Sequence, residues 1–186
     1  VFGRKQKDNV LVIDRFSALR ALAKKAGFLL QFCWSHILKD AKELARDFGA
    51  EGIYVKRKLK EIYALANGLN HKGTLEQVEQ LKAEIFQLTL RHYKHSTVRK
   101  FVNNLYYRDV ENLFRFVTDP EIDPTNNVSE RELRHLVIIR KISNGSRSPR
   151  GANATAMLLS IIQTLRFNKQ NVLQGLHNIL KNPSRY

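Results

Sequence analysis

The chain has 186 residues, of which 43% are hydrophobic and 26% charged, and its formal net charge is +15. The two fractions are ordinary for a globular protein, but the excess of positive charge favours an anionic polymer or surface as partner. No apolar run approaches the roughly 18 residues of a membrane span, and the polar residues 4–8 do not look like a signal peptide. The single cysteine, Cys33, excludes a disulfide within this chain and suits a reducing cytoplasm.

The positive charge is concentrated in the last third of the sequence. No Asp or Glu follows Glu132, whereas basic residues continue to the end of the chain. They are Arg134, Arg140, Lys141, Arg147, Arg150, Arg166, Lys169, Lys181 and Arg185. An acid-free basic segment predicts a surface that binds a nucleic-acid backbone. Chance clustering in a generally basic protein is the alternative.

The first elements predict a strand, a helix and a second strand. Residues 9–13 form a short apolar run that ends at Asp14, and residues 28–34 form another. Between them, residues 17–26 have helical periodicity, and Gly27 suits the helix end. Such a βαβ unit implies a parallel strand pair with a right-handed crossover, and it places Asp14 at the carboxyl end of a strand.

Residues 35–118 have helical periodicity throughout. We predict helices at about 35–47, 52–66, 74–95 and 97–117, with breaks at Gly49, at residues 67–73 and near Ser96. Thr74 and Gln77 have the spacing of a capping box, which supports the start of the third helix. The region is predicted to be an antiparallel helical insertion.

A further helix is predicted to begin with Asp123 as its N-cap and Pro124 in its first turn. One face of it would carry Asn126, Asn127, Glu130, Leu133 and Arg134. A simple ion pair between Glu130 and Arg134 remains the alternative to a functional cluster. Residues 143–151 then predict a basic loop, residues 152–167 a buried apolar helix, and residues 171–180 a last short helix.

These pieces permit metal-assisted chemistry on a phosphodiester. Asp14 and Glu130 could meet and hold two divalent ions, with Asn127 as a neutral oxygen ligand or an orienting group. Such hard oxygen ligands favour Mg²⁺ or Mn²⁺. The side chains predicted to bind DNA phosphates are Arg131, Arg134, Arg140, Lys141, Arg147 and Arg150.

Two motifs in this order resemble transposases of the insertion sequence sixty-six family. The upstream motif consists of Asp14-Arg15-Phe16-Ser17, similar to that family's Asp-Gly-Tyr-Ser turn, and Cys33-Trp34-Ser35-His36, similar to its Cys-Trp-Ala-His signature. The downstream motif comprises Asn126-Asn127, Glu130-Arg131, Arg134, Arg140-Lys141, Gly145-Ser146, Arg150-Gly151, Thr164 and Asn168. The likeness covers nearly the whole chain, although residues 37–119 match in helical character more than in motif.

The resemblance implies a DNA transposase with an RNase H-like core and an Asp, Asp, Glu triad, split by a helical insertion. Asp14 matches the second aspartate and Glu130 the glutamate, while no residue matches the first aspartate, since Asp8 is too close to the strand before Asp14. The chain begins with Val1 and would be the back portion of the catalytic domain, with little activity by itself. The fold expected is predominantly α with a small parallel β component. Residues 1–36 would be partial core, 37–119 insertion, and 120–186 late core helices.

The resemblance also implies DNA partners, namely element ends and target, a homo-oligomer in the synaptic complex, and a prokaryotic, nucleoid-associated location in the cytoplasm. Arg15 departs from the family's glycine and would put a cation beside the metal site. A zinc site formed by Cys33 and His36 with His92 and His95 is a weaker possibility than simple structural roles for these residues. Tyr106 and Tyr107 are better explained by helix packing than by base stacking. The alternative function is a non-catalytic basic helical module for DNA binding or assembly, a degenerate element remnant.

Overall fold

The computed structural model describes residues 9–142, 145–146 and 148–181. This part of the chain is mostly helical, with one small parallel sheet. It divides into two compact units, Val1–Val128 and Ser129–Tyr186. The division falls within one helix, directly after Val128. The prediction of a mainly α chain with a minor parallel β component is confirmed.

The predicted βαβ unit is present at the start of the first unit. Strand β1 (Val10–Ile13) and strand β2 (Leu29–Phe32) pair in parallel, with Val10 opposite Leu29, and helix α1 (Ser17–Ala26) connects them. Gly27 ends α1 in the left-handed region, at φ 73°, where a residue without a Cβ fits best. Asp14 therefore follows the carboxyl end of β1.

The region that follows contains four helices, of which the last two are shorter than predicted. They are α2 (Trp34–Asp47), α3 (Gly49–Gly68), α4 (Leu75–Thr89) and α5 (Ser96–Tyr107). Both hydrogen bonds of the capping box between Thr74 and Gln77 are formed, at 2.8 and 3.2 Å. At the other end, α4 stops at Thr89 and does not extend to residue 95, where the backbone N–H groups of Lys94 and His95 donate to the Glu51 carboxylate.

The predicted helix over residues 97–117 is wrong in its second half. After α5 the chain forms two 3-10 turns, Val110–Asn112 and Arg115–Val117. The physical reason is a set of hydrogen bonds that join the backbone of this segment to Gln31 of β2 and to Trp34. The Leu113 carbonyl accepts from Gln31 Nε2 and from Trp34 Nε1, at 2.9 and 2.7 Å, and the Arg115 N–H donates to Gln31 Oε1 at 2.9 Å. Backbone groups bound in this way cannot join a regular helix.

The core of the first unit lies between the sheet and these helices. The indole of Trp34 is fully buried and stacks on Tyr63 at 5.2 Å between ring centroids. Around it pack Phe32, Ile37, Leu59, Leu105, Leu113, Phe114 and Phe116. Helices α2 and α3 approach so closely at Gly52 that a Cβ there would lie 2.0 Å from the Leu44 carbonyl oxygen. Only glycine fits this crossing.

The second unit contains most of α6 (Asn127–Ile142), with α7 (Pro149–Phe167) and α8 (Val172–Lys181). Ser148 caps α7 by accepting from the Gly151 N–H at 3.1 Å. The prediction that this apolar helix is buried is largely wrong, because Met157 is 67% and Phe167 88% exposed. Composition shows that a helix is apolar but not whether other elements pack against it. Among the described residues, few apolar side chains of α7 are buried.

The apolar character of α7 raises the question of a membrane span. Among the helices that the structure describes, none combines the length and the apolar composition needed to cross a bilayer.

Candidate catalytic and DNA-binding residues

Asp14 lies in a tight turn between β1 and α1. Its Oδ1 accepts a hydrogen bond from the Phe16 N–H at 3.1 Å, and the residue is half-buried. This Asx-type turn fixes the carboxylate at the carboxyl end of the parallel pair. The placement agrees with the sequence expectation for a strand-end carboxylate.

Arg15, which stands where the family resemblance has glycine, has acidic partners. Its guanidinium forms an ion pair with Asp40 of α2 and lies 3.6 Å from Asp109, and the same group sits over the Phe101 ring at 5.1 Å. The side chain is 16% exposed. The cation expected beside Asp14 is therefore neutralised by carboxylates of other elements.

Asp109 is the centre of a buried ionic cluster that the sequence did not reveal. The residue is fully buried, and its Oδ1 accepts from Arg20 Nη1 at 2.8 Å and lies 3.3 Å from Arg108 Nε. Arg20 also covers the Phe32 ring at 4.2 Å. Because a buried carboxylate is unfavourable without cationic partners, Asp109 ties the residues around the Asp14 turn to the segment that follows α5. No local motif marks this role.

A second contact network joins the residues after β2 to those that enter α6. The Trp34 N–H donates to the Pro124 carbonyl at 2.9 Å, and the Asn126 N–H donates to Cys33 Sγ at 3.3 Å. Ser35 Oγ donates to Asn127 Oδ1 at 3.2 Å. These bonds use the backbone and side chains of the Cys-Trp-Ser-His signature, and so give that motif a structural purpose.

The same network corrects the predicted start of the helix that carries Glu130. Asp123 and Pro124 precede α6, which begins at Asn127, because the Pro124 carbonyl is bound by the Trp34 N–H. Asn126 consequently lies before the helix and does not share its face. Glu130 lies in the first turn of α6 and is exposed.

The residues proposed for a zinc site have other contacts in the structure. Cys33 is buried, and its Sγ is 2.9 Å from Ser35 Oγ in addition to the contact with the Asn126 N–H. His95 packs against Phe48 at 5.2 Å. Across residues 9–142, 145–146 and 148–181, no three His, Cys, Asp or Glu side chains are grouped as metal ligands.

The basic residues predicted to hold phosphates are in part described. Arg131, Arg134 and Lys141 are exposed on α6, and Arg150 is exposed near the start of α7. The side chain of Arg140 and the whole of Arg147 lie outside the described residues. Exposed guanidinium and ammonium groups can reach a phosphate backbone without a desolvation penalty from burial.

One further polar residue, Gln31, was missed as a structural determinant. It is fully buried in β2, where its side chain bonds to the Phe32 and Leu113 carbonyls and to the Arg115 N–H. An amide within an otherwise apolar strand is a signal for such a role, because buried polar groups require partners.

Comparison with known proteins gives one family. The family model described as "Transposase IS66 family" matches residues 4–154. The uncharacterized protein y4qI of Sinorhizobium fredii (strain NBRC 101917 / NGR234) is 26% identical over 192 residues, which include 92% of this chain and 35% of that protein. The chain thus spans about a third of the length of this relative. No solved structure shows significant similarity.

The family match includes the Asp14 turn, the Cys33 to His36 signature and the first helical turn with Glu130. It covers well over half of the chain, in agreement with the motifs that suggested the resemblance. The chain belongs to the IS66 family of transposases.

Proposed function

We propose that this chain contributes to metal-dependent phosphodiester cleavage and strand transfer in DNA transposition, with Asp14 and Glu130 as catalytic carboxylates. The observation that carries the proposal is the family match over residues 4–154, which includes both carboxylates within their motifs. In this scheme residues 1–36 and 120–186 belong to an RNase H-like core, and residues 37–119 form an insertion.

Local geometry supports the two assignments. The Asx-type turn holds Asp14 at the carboxyl end of β1, through the bond from the Phe16 N–H. The residues that lead into α6 are bonded to Cys33, Trp34 and Ser35, so the backbone of the first unit is held as far as Asn127 at the helix start. Catalytic carboxylates need such fixed backbones, because small displacements of the reacting groups are costly in rate.

The donor set fits Mg²⁺ or Mn²⁺. Asp14 and Glu130 offer hard carboxylate oxygens, which these ions prefer. Asn127 can add its carbonyl oxygen or orient Glu130, although this oxygen already accepts one hydrogen bond from Ser35. Bound divalent ions would activate the attacking water or 3′-hydroxyl and stabilise charge on the leaving oxygen.

The basic residues complete the proposed site. Arg131, Arg134, Arg140, Lys141, Arg147 and Arg150 are proposed to hold the phosphates of element ends and target DNA. They lie in or beside the last third of the sequence, which contains no Asp or Glu after Glu132. Assembly as a homo-oligomer on paired ends, and a nucleoid-associated location in the cytoplasm, belong to the same proposal.

The proposal is tested with the product of the complete reading frame that encodes Val1 to Tyr186. Magnesium-dependent cleavage and joining of element ends are measured for Asp14→Ala and Glu130→Ala. Each variant is expected to lose activity by a factor of about 10³ or more, as for loss of a catalytic group. Glu84→Ala, which removes an exposed glutamate of α4, is the matched control. Undiminished cleavage by Glu130→Ala would contradict the assignment.

A non-catalytic DNA-binding or assembly module is the second candidate. Two observations favour this module, namely the net charge of +15 and the exposure of Arg131, Arg134, Lys141 and Arg150. Both are explained by DNA binding alone, without catalysis. It predicts DNA binding that weakens steeply with salt and does not respond to Mg²⁺ or to Asp14→Ala. An effect of Mg²⁺ on binding that Asp14→Ala abolishes would contradict it.

A further inference from the structure

We propose that the solvent-exposed face of α5 is a further DNA-binding surface, which contacts the phosphate backbone of duplex DNA through Lys100, Asn103, Asn104 and Tyr107. This set of four residues is called the α5 face. It lies in the first compact unit, apart in sequence from the basic residues of α6 and α7. It goes beyond the proposed catalytic site, because it assigns DNA contacts to the helical region between the two motifs.

The packing of α5 determines which residues form this face. Val98, Val102 and Leu105 are fully buried and define the side of the helix that meets the core. With 3.6 residues per turn, Lys100 and Tyr107 are two turns apart on the opposite side, with Asn103 and Asn104 between them. Lys100 and Asn104 are exposed, and Asn103 is half-buried.

Tyr107 departs from the packing that the sequence suggested. Tyr106 does pack in the helical region, with its ring 4.9 Å from that of Phe86. Tyr107 is 71% exposed, and its ring meets Tyr106 edge-on at 5.1 Å. The neighbouring ring supports the phenol while most of its surface stays open to solvent. A tyrosine held in this way can donate its hydroxyl to a ligand at a low cost in conformational entropy.

Charge is distributed unequally between α5 and the helix before it. Residues 85–108 contain no Asp or Glu, and their basic residues are Arg91, Lys94, Arg99, Lys100 and Arg108. Helix α4, by contrast, has exposed carboxylates at Glu76, Glu79 and Glu84. Cations are therefore gathered on α5 and on the connection that precedes it. A surface of this composition attracts a polyanion.

The connection before α5 is held in place by groups that leave its cations exposed. Glu51 of α3 accepts from the backbone N–H groups of Lys94 and His95 at 2.7 and 3.1 Å. The Arg91 guanidinium covers the Tyr54 ring at 4.1 Å. Arg91 and Lys94 are both exposed. They add positive charge to the connection that leads into α5.

The chemistry of the α5 face matches a phosphate backbone. A lysine ammonium, two carboxamides and a phenol all offer N–H or O–H donors, and these side chains are among those that contact phosphate and sugar in protein–DNA interfaces. The four residues include no carboxylate, so nothing in the set repels phosphate. Such contacts hold DNA without reading its sequence.

The test is the affinity of the 186-residue chain for a short mixed-sequence DNA duplex, measured by fluorescence anisotropy over a salt series without divalent ions. Removing one phosphate contact with Lys100→Ala should reduce the slope of log K against log salt by about 1 and weaken binding several-fold. Tyr107→Phe, which removes only the hydroxyl, should weaken binding by roughly two- to tenfold. Lys42→Ala, which removes an exposed lysine of α2, is the charge-matched control and should have a smaller effect on both quantities.

All variants lie at surface positions, and their folding is checked by circular dichroism. The proposal is overturned if Lys100→Ala matches Lys42→Ala in affinity and in salt slope, or if the unsubstituted chain does not bind duplex DNA. Because no divalent ion and no cleavage are involved, neither outcome depends on whether Asp14 and Glu130 are catalytic.

Discussion

The two compact units differ in how completely their apolar side chains are covered. In Val1–Val128, rings such as those of Phe32, Trp34 and Phe114 are at most 2% exposed. In the described part of Ser129–Tyr186, Leu159 and Leu165 are buried, but each of the helices α6, α7 and α8 also carries large apolar side chains that are at least 44% exposed. They are Val137, Ile138, Ile142, Met157, Leu158, Phe167, Leu173 and Leu180.

Because of this difference, substitutions in the two units are expected to have different effects. In the first unit, buried residues hold the turn of Asp14, so a core substitution is expected to disturb stability and the candidate site together. In the second unit, the described basic residues are exposed, and surface substitutions seldom change stability by more than about 0.5 kcal/mol. A loss of DNA binding in Arg134→Ala or Lys141→Ala can therefore be attributed to a lost contact.

The largest contrast is expected between Trp34→Ala and Met157→Ala. Trp34 is fully buried and donates to the Leu113 carbonyl, so its truncation should lower the free energy of unfolding by about 3–5 kcal/mol. Met157 is 67% exposed, and its truncation should cost less than about 1 kcal/mol. Urea unfolding followed by circular dichroism measures both. Equal costs would show that α7 has a covered apolar face.

The buried ionic cluster should be nearly as sensitive. Asp109→Ala leaves the guanidinium groups of Arg15 and Arg20 without their fully buried carboxylate, which should lower the free energy of unfolding by roughly 3 kcal/mol. Asp47→Ala removes the partner of Arg46 in an exposed pair and should leave the denaturation curve close to that of the unsubstituted chain. Indistinguishable denaturation curves for the two variants would rule out a structural role for the Asp109 cluster.

The crossing of α2 and α3 predicts an intermediate effect. In Gly52→Ala the new Cβ would meet the Leu44 carbonyl at 2.0 Å, and the required separation of the helices should cost about 1–3 kcal/mol. Gly68 lies at the end of the same helix, with nothing within 4 Å of a Cβ. Gly68→Ala should be neutral or slightly stabilising, because alanine favours helix. Thermal unfolding of both variants distinguishes a packing effect from a propensity effect.

The smallest predicted effect concerns Glu51 and depends on pH. Hydrogen bonds from the Lys94 and His95 N–H groups hold the pKa of this carboxyl below its usual value, although burial opposes the shift. A carboxyl whose pKa is lowered by folding stabilises the fold above its unfolded pKa of about 4.3, and this contribution disappears as the pH falls through the folded value. Glu51→Gln should therefore be less stable than the unsubstituted chain at pH 7, and the difference should vanish in acid. A difference that stays constant with pH would contradict the assigned ionic contribution.

The sequence predicted most of what depends on local pattern. Two short apolar runs on either side of a helical pattern, Gly27 and the Thr74 to Gln77 spacing correctly located the βαβ unit and the start of α4. It failed where distant groups decide the backbone. The bonds of Gln31 and Trp34 end the helical pattern after α5, and the bond from the Trp34 N–H keeps Pro124 out of α6. Partners more than 75 residues apart leave no periodic signal.

The residue types of the candidate site could be predicted from the sequence, but the contacts that hold these residues in place could not. Asp14 at a strand end and Glu130 on a late helix follow from pattern and family resemblance, whereas the place of Glu130 in the first turn of that helix does not, because the sequence pattern put the helix start at Asp123. The neutralisation of Arg15 by Asp40 and Asp109 does not, because ion pairs between separate elements depend on the packing of the whole unit.

Asp14 and Glu130 are proposed to act as metal-binding carboxylates in DNA cleavage. The most direct measurement compares Mg²⁺ and Mn²⁺ in cleavage of element ends by Asp14→Cys and Glu130→Cys, made in the product of the complete reading frame. A thiolate is a softer ligand than a carboxylate and accepts Mn²⁺ better than Mg²⁺. If both carboxylates bind the metal, both variants should lose cleavage with Mg²⁺ and recover part of it with Mn²⁺. Full cleavage with Mg²⁺ by either variant would contradict it.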